Sequence, residues 1–167
     1  MSLDSLVVSS IMSKDVKTEN ENQNIMAACK VMHDNNIGCV VVVKYENKEK
    51  IPIGVITERD IVNIFGELTI DFAKPLSNFM SSPLISIQSN CSIREAMQLM
   101  NSNHVRRLVV VDVNNKMVGI ITEKDIFSQI IKSPSMVTDF VGQNYPAEYK
   151  EVYSRFTEYM FDLLPKI

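Results

Sequence analysis

Two segments of the 167-residue chain place a threonine three residues before an aspartate where an apolar run gives way to a polar one: Thr57-Glu58-Arg59-Asp60 and Thr122-Glu123-Lys124-Asp125. If a strand ends and a helix begins there, the first-turn N–H groups point outward and form an anion site. The threonine hydroxyl can donate to a phosphate oxygen, and the carboxylate can accept both hydroxyls of a ribose. The same spacing also approximates a capping box that only satisfies backbone donors, and the two roles are compatible. Arg59 and Lys124 fall in the first turn, where a cation opposes the helix dipole unless an anion is near; a solvated surface position is the other reading.

A second pair of basic residues, Arg106-Arg107, opens an apolar run, at a position where the first half of the chain has Gly38-Cys39. An arginine there can fork onto a phosphate. Because side chains alternate along a strand, the two should not face one cleft; the other reading is that at least one pairs with a neighbouring carboxylate. Which cleft they serve stays open. His104 lies beside them and either approaches the phosphate or is exposed, and His33 belongs to a polar helix end. Cys29, Cys39 and Cys91 form no C-x-x-C pair, so the sequence supports neither a disulfide framework nor a zinc knuckle. No nucleophile with a base, metal cluster or cofactor motif emerges, and the chain is expected not to be an enzyme and to require no cofactor.

The elements that position these residues come as a repeat. An offset of 68 carries Met12-Ser13 onto Met80-Ser81, Ile25 onto Ile93, Ala28 onto Ala96, Met32 onto Met100 and Val41 onto Val109. It falls to 65 where Gly54 to Ile61 meets Gly119 to Ile126, the difference lying in a polar loop that tolerates length changes. Each unit carries the i, i+3, i+4, i+7 stripe of an amphipathic helix, with Asn24 and Ser92 as N-caps and Ser92 with Glu95 as a capping box. A β-branched run follows, residues 37–43 or 105–111, too continuous for a strand with one wet face. A polar hairpin, residues 45–50 or 113–116, leads to a second strand, residues 53–56 or 117–121, and then to the helix at Thr57 or Thr122. Short extended segments, residues 15–18 and 83–87, precede the first helices. The predicted fold is α+β, in the order β-α-β-β-α taken twice. Its parts are a first repeat over residues 7–66, a connector over 67–75 with Gly66 as helix stop, a second repeat over 76–131 and an extension over 132–167. At roughly 60 residues neither repeat buries enough surface alone, so the two should share a core.

The composition is that of a globular chain, 46% hydrophobic and 22% charged, and a net charge of −3 gives no global attraction to nucleic acid or anionic lipid. No apolar run approaches the ~20 residues of a membrane span, and a cytoplasmic location is expected.

The motifs Gly54-Val55-Ile56-Thr57-Glu58-Arg59-Asp60 and Gly119-Ile120-Ile121-Thr122-Glu123-Lys124-Asp125, with His104 to Asp112, resemble the cystathionine β-synthase (CBS) domain over about residues 7 to 131. The resemblance implies a stand-alone pseudo-twofold pair whose sheets meet and leave two clefts, a regulatory or sensor role, and an adenosine ligand: AMP, ADP, ATP or S-adenosylmethionine. It gives Asp60 and Asp125 the ribose, places Thr18 and Ser86 beside the nucleobase, and implies association into a flat homodimer of pairs. The apolar walls would be Ile37, Val55, Val105 and Ile120, which core packing explains equally well. The other reading is a structural, nucleic-acid-binding or protein-interaction dimer with vestigial sites. Outside the resemblance, Tyr149, Tyr153, Phe156 and Met160 share one face of a helix that Pro146 can start, and that face needs cover from the repeats, a second subunit or an unidentified partner.

Overall fold

The computed structural model describes residues 3–66 and 71–142. The first repeat consists of β1 (Thr18–Asn20), α1 (Ile25–Asn35), β2 (Cys39–Glu46), β3 (Glu49–Thr57) and α2 (Glu58–Gly66). The second consists of β4 (Ser86–Gln88), α3 (Ile93–Ser102), β5 (Arg107–Val111), β6 (Met117–Thr122) and α4 (Glu123–Ile130), and a further helix, α5 (Pro134–Gly142), follows. The α+β class and the doubled β-α-β-β-α order are as the sequence predicts.

Both first helices start on the expected caps. Asn24 Oδ1 accepts from the Ala27 amide, and Ser92 and Glu95 cap each other reciprocally. Their stripes point inward: Ile25, Ala28 and Met32 in α1, and Ile93, Ala96 and Met100 in α3, are buried. Each repeat has a three-stranded sheet in which a short first strand runs parallel to the central strand and the third runs antiparallel to it. Both central strands carry a register irregularity at corresponding places, Val42/Val43 and Val110/Val111.

The central strands are buried on both faces, and alternation sends the faces to different neighbours. Val40 and Val42 pack under the helices of the first repeat, and Leu108 and Val110 under those of the second. Val41 and Val43 meet Val109 and Val111 in a third cluster between the sheets, the shared core expected of two small halves.

One predicted detail is corrected. The first hairpin is not a loop over residues 45–50: β2 and β3 stay paired to Glu46↔Glu49, leaving a two-residue turn, Asn47-Lys48, with φ of 50° and 69°. Positive φ at both positions matches the right-handed strand twist, so the polar residues 45, 46, 49 and 50 continue the ladder as solvated strand. The start of the 132–167 extension joins the second core: Met136 of α5 is 1% exposed there, with Val137 and Phe140 beside it. The predicted aromatic helix falls among residues 143–167, outside those described.

The leading segments cross between repeats. Ser13 exchanges two backbone hydrogen bonds with Ile120 of β6, each 2.9 Å, and Ser81 exchanges two with Val55 of β3, at 2.8 and 3.1 Å. Leu3, Leu6 and Val8 fill the core of the second repeat, while Leu76 lies in that of the first with Phe79 and Met80 against it. Gly54 and Gly119 permit this approach: a Cβ on either would come within 2.6 Å of a methionine sulfur and 2.9 Å of a serine carbonyl on the crossing segment.

Candidate functional site

At the end of β3, Thr57 and Asp60 form the expected reciprocal cap. The Thr57 amide and hydroxyl both donate to Asp60 Oδ2, each at 2.8 Å, and the Asp60 amide donates back to Thr57 Oγ1 at 3.3 Å. Thr122 and Asp125 repeat this at 2.9, 2.6 and 3.2 Å. The Glu58 amide is taken by the Gly38 carbonyl and that of Glu123 by the Arg106 carbonyl. The N-terminal anion site expected from sequence is therefore largely spoken for: at each helix start three amides and the threonine hydroxyl hydrogen are already committed. What remains at Asp60 is Oδ1, whose contact is a long one, 3.5 Å from Ser81 Oγ.

Cationic groups come from the other repeat. A cleft of about 190 Å³ is lined by Val55, Thr57, Arg59 and Asp60 from the first repeat and by His104, Val105, Arg106 and Arg107 from the second. Ser81, Pro83, Leu84, Ile85 and Val109 complete it. Arg106 and Arg107 thus line the cleft at Asp60, a placement that the sequence left open.

The expectation that alternation keeps Arg106 and Arg107 apart is corrected. Strand β5 begins only at Arg107, and Arg106 sits in the bend before it, where the pleat does not dictate direction. The bend follows His104, whose φ of 53° ends the helical turn as Asn36, with φ 52°, does in the first repeat. Nor does either arginine take a carboxylate. Among the described residues Arg59, Arg106 and Arg107 belong to no ion pair, while Arg107 Nη1 donates to the Gly38 carbonyl at 2.9 Å. Cys39 lies against the same guanidinium; burial pushes its thiol up, and the nearby Arg107 only partly offsets this.

Other expected site residues are dispersed. Thr18 and Ser86 begin β1 and β4 rather than ending extended segments. Ser86 is exposed and outside the cleft lining, which draws on Leu84 and Ile85 just before it. Ile37, Gly38, Ile120, Thr122 and Asp125 are the repeat-related counterparts of Val105, Arg106, Val55, Thr57 and Asp60. Lys124, the counterpart of Arg59, lines a different groove. Ser81 is a lining residue that the sequence reading does not include, although its recurrence with Ser13 at the 68-residue offset is a usable signal.

That different groove is larger, about 730 Å³, between α3, α4 and α5, with Leu3, Met97, Phe127, Ile130 and Phe140 on its walls. Its arginine, Arg94, is already paired with Asp4 and Asp139, whereas the three arginines of the smaller cleft are in no ion pair among the described residues. Among the described residues no cluster of three or more His, Cys, Asp or Glu could hold a metal, and no helix is long and apolar enough to cross a membrane.

Two repeats, each closing on Gly-x-x-Thr-x-x-Asp and joined across a cleft, match the CBS domain over residues 8–67 and 76–132. The chain belongs to the CBS domain family. It is 35% identical to the CBS domain-containing protein YhcV of Bacillus subtilis over 119 residues, 71% of this chain and 81% of YhcV. It is 33% identical to MK0525 of Methanopyrus kandleri over 123 residues, 73% of this chain, and the match spans only 61% of that relative. Among solved structures, the CBS domain pair of MJ0100, in complex with 5′-methylthioadenosine and S-adenosyl-L-methionine, superposes with a TM-score of 0.65 at 25% identity, covering 74% of this chain and 94% of that one.

Proposed function

We propose that this CBS pair is a non-catalytic regulatory module that binds an adenosine-containing ligand between its repeats. The carrying observation is the convergence of Thr57, Arg59 and Asp60 from one repeat with Arg106 and Arg107 from the other on a single cleft. In this reading Asp60 Oδ1, the oxygen not held in the cap, accepts from the ribose hydroxyls. Val55, Ile85 and Val105 form apolar walls for the base, and the guanidinia meet whatever anion the ligand carries. The complex of the MJ0100 pair with two adenosine derivatives supports the ligand class.

A ligand held by both repeats binds tightly only when they are correctly placed relative to one another. It therefore favours one arrangement of the pair over others, and a partner or a dimer interface can sense that arrangement. Exposed Met26, Val62, Phe65 and Phe127 on the helices supply apolar surface for a homodimer of pairs.

Thermal melting with AMP, ADP, ATP, S-adenosylmethionine and 5′-methylthioadenosine tests the reading. A ligand at about 100 times its Kd contributes about 2.7 kcal/mol, a rise of roughly 5–10 °C for a chain of this size. The combined Asp60→Asn and Asp125→Asn variant should abolish the rise. No shift with any of the five would leave the vestigial-site reading standing instead.

A further inference from the structure

We infer that the two ribose-binding positions serve ligands of different charge: the Asp60 cleft takes an adenosine ligand with a 5′-phosphate or polyphosphate, and the Asp125 cleft one whose 5′ substituent is neutral or cationic. The inference rests on the adenosine reading above and adds to it an assignment for each cleft.

The Asp60 cleft gathers three guanidinia, Arg59, Arg106 and Arg107, against one carboxylate, and none of the three is in an ion pair among the described residues. Uncompensated cations around a small concave site favour a multivalent anion, which they can meet with forked, charge-assisted hydrogen bonds.

The repeat relation carries this lining to a different set of charges around Asp125. Arg106 becomes Gly38, Arg107 becomes Cys39, Pro83 becomes Asp15 and Ile85 becomes Lys17. The two new charges cancel, because Lys17 Nζ lies 2.8 Å from Asp15. Lys124, in the place of Arg59, lines the groove beside Phe127 and Ile130. The space a side chain at position 38 would use is filled by an acid, since a Cβ on Gly38 would come 2.7 Å from Glu58 Oε2. A carboxylate thus stands where the other cleft has an arginine stem. With the Cys39 thiol kept neutral by burial, Lys124 is the one cation among these counterparts outside an ion pair, against three in the Asp60 cleft, and it lines the neighbouring groove, so a sulfonium or thioether substituent fits better.

The arginine that could reach across, Arg107, does so with its charge directed at a backbone carbonyl. Its Nη1 donates to Gly38 at 2.9 Å while the side chain remains part of the Asp60 lining.

Isothermal titration of the full chain with AMP and with 5′-methylthioadenosine, on wild type and on Arg106→Ala, Asp60→Asn and Asp125→Asn, separates the clefts. AMP should weaken about 10- to 100-fold in Arg106→Ala and Asp60→Asn, the size of a lost hydrogen bond to a charged group, and by no more than about 2-fold in Asp125→Asn. 5′-Methylthioadenosine should weaken in Asp125→Asn and keep its affinity within about 2-fold in Arg106→Ala, which removes a side chain lining the Asp60 cleft and leaves the Arg106 carbonyl to accept from the Glu123 amide. Arg106 is exposed, so its variant tests the division even if an aspartate variant does not fold. AMP binding that ignores Arg106→Ala, or both ligands lost to the same aspartate variant, would overturn the division alone. Failure of both ligands to bind wild type would overturn the adenosine reading with it.

Discussion

The Asp60 and Asp125 sides are alike wherever backbone and core decide the structure and unlike wherever an exposed side chain does. The crossing serine pairs with the third strand on both sides, the Thr-Asp cap has nearly the same lengths, and the central strand shifts register at corresponding places. Arg106 against Gly38 and Arg107 against Cys39 then give the two sides different charge on the same frame. A duplicated fold is held to its symmetry by packing, because buried positions tolerate little change in volume. Its exposed cleft-lining positions, such as Arg59 and Arg106, carry no such constraint.

The strongest way to break that comparison is in the core. Ile56→Ala and Ile121→Ala remove fully buried side chains at related positions, and each should cost about 2–5 kcal/mol in urea denaturation. Costs differing by more than the usual spread of such sites would show that the cores are not equivalent. A smaller effect is expected at the caps: Thr57→Ala and Thr122→Ala should each cost about 1 kcal/mol by the same measurement. A much larger loss in only one of them would mean that its threonine does more than cap.

The smallest effect concerns acid, and here the repeats should part. Arg94 hydrogen-bonds Asp4 and holds its carboxyl below the usual range, and the Ser92 backbone amide does the same for Glu95. A carboxylate whose pKa is lowered by folding stabilises the fold above its unfolded pKa and loses that contribution as pH falls through the folded value. Stability should therefore decline from about pH 4 downward, the ordinary range of a free carboxylate. The first repeat has Met26 in place of Arg94, so Arg94→Met should flatten the decline, as followed by melting temperature against pH. An unchanged acid profile would assign it to other carboxylates.

The repeat is legible in the sequence because hydrophobic periodicity, caps and the Gly-x-x-Thr-x-x-Asp spacing are local signals that recur in register. Asn24, Ser92 and Glu95 can be assigned from neighbours within three residues. The first hairpin reads as a longer loop than it is because Tyr45, Glu46, Glu49 and Lys50 are polar, and solvated strand ends look like loop. Helix α5 escapes a repeat-based reading because it has no helical counterpart among the described residues that follow α2, and its anchor is distant in sequence: Asp139 accepts from the Leu3 amide and from Arg94. The joint placement of Arg106 and Arg107 depends on where β5 starts, a boundary to which periodicity is insensitive within a residue or two. That the arginines serve Asp60 is unreadable for a different reason, since an offset relates equivalent residues without saying which sheet each crosses to.

The exchanged leading segments also bear on whether a repeat can stand alone. A single repeat standing alone would carry an apolar lead, such as Leu3, Leu6 and Val8, that fits the sheet of a neighbour rather than its own. Two repeats trading leads satisfy each other, so the pair, and not the single repeat, is the unit that completes both cores.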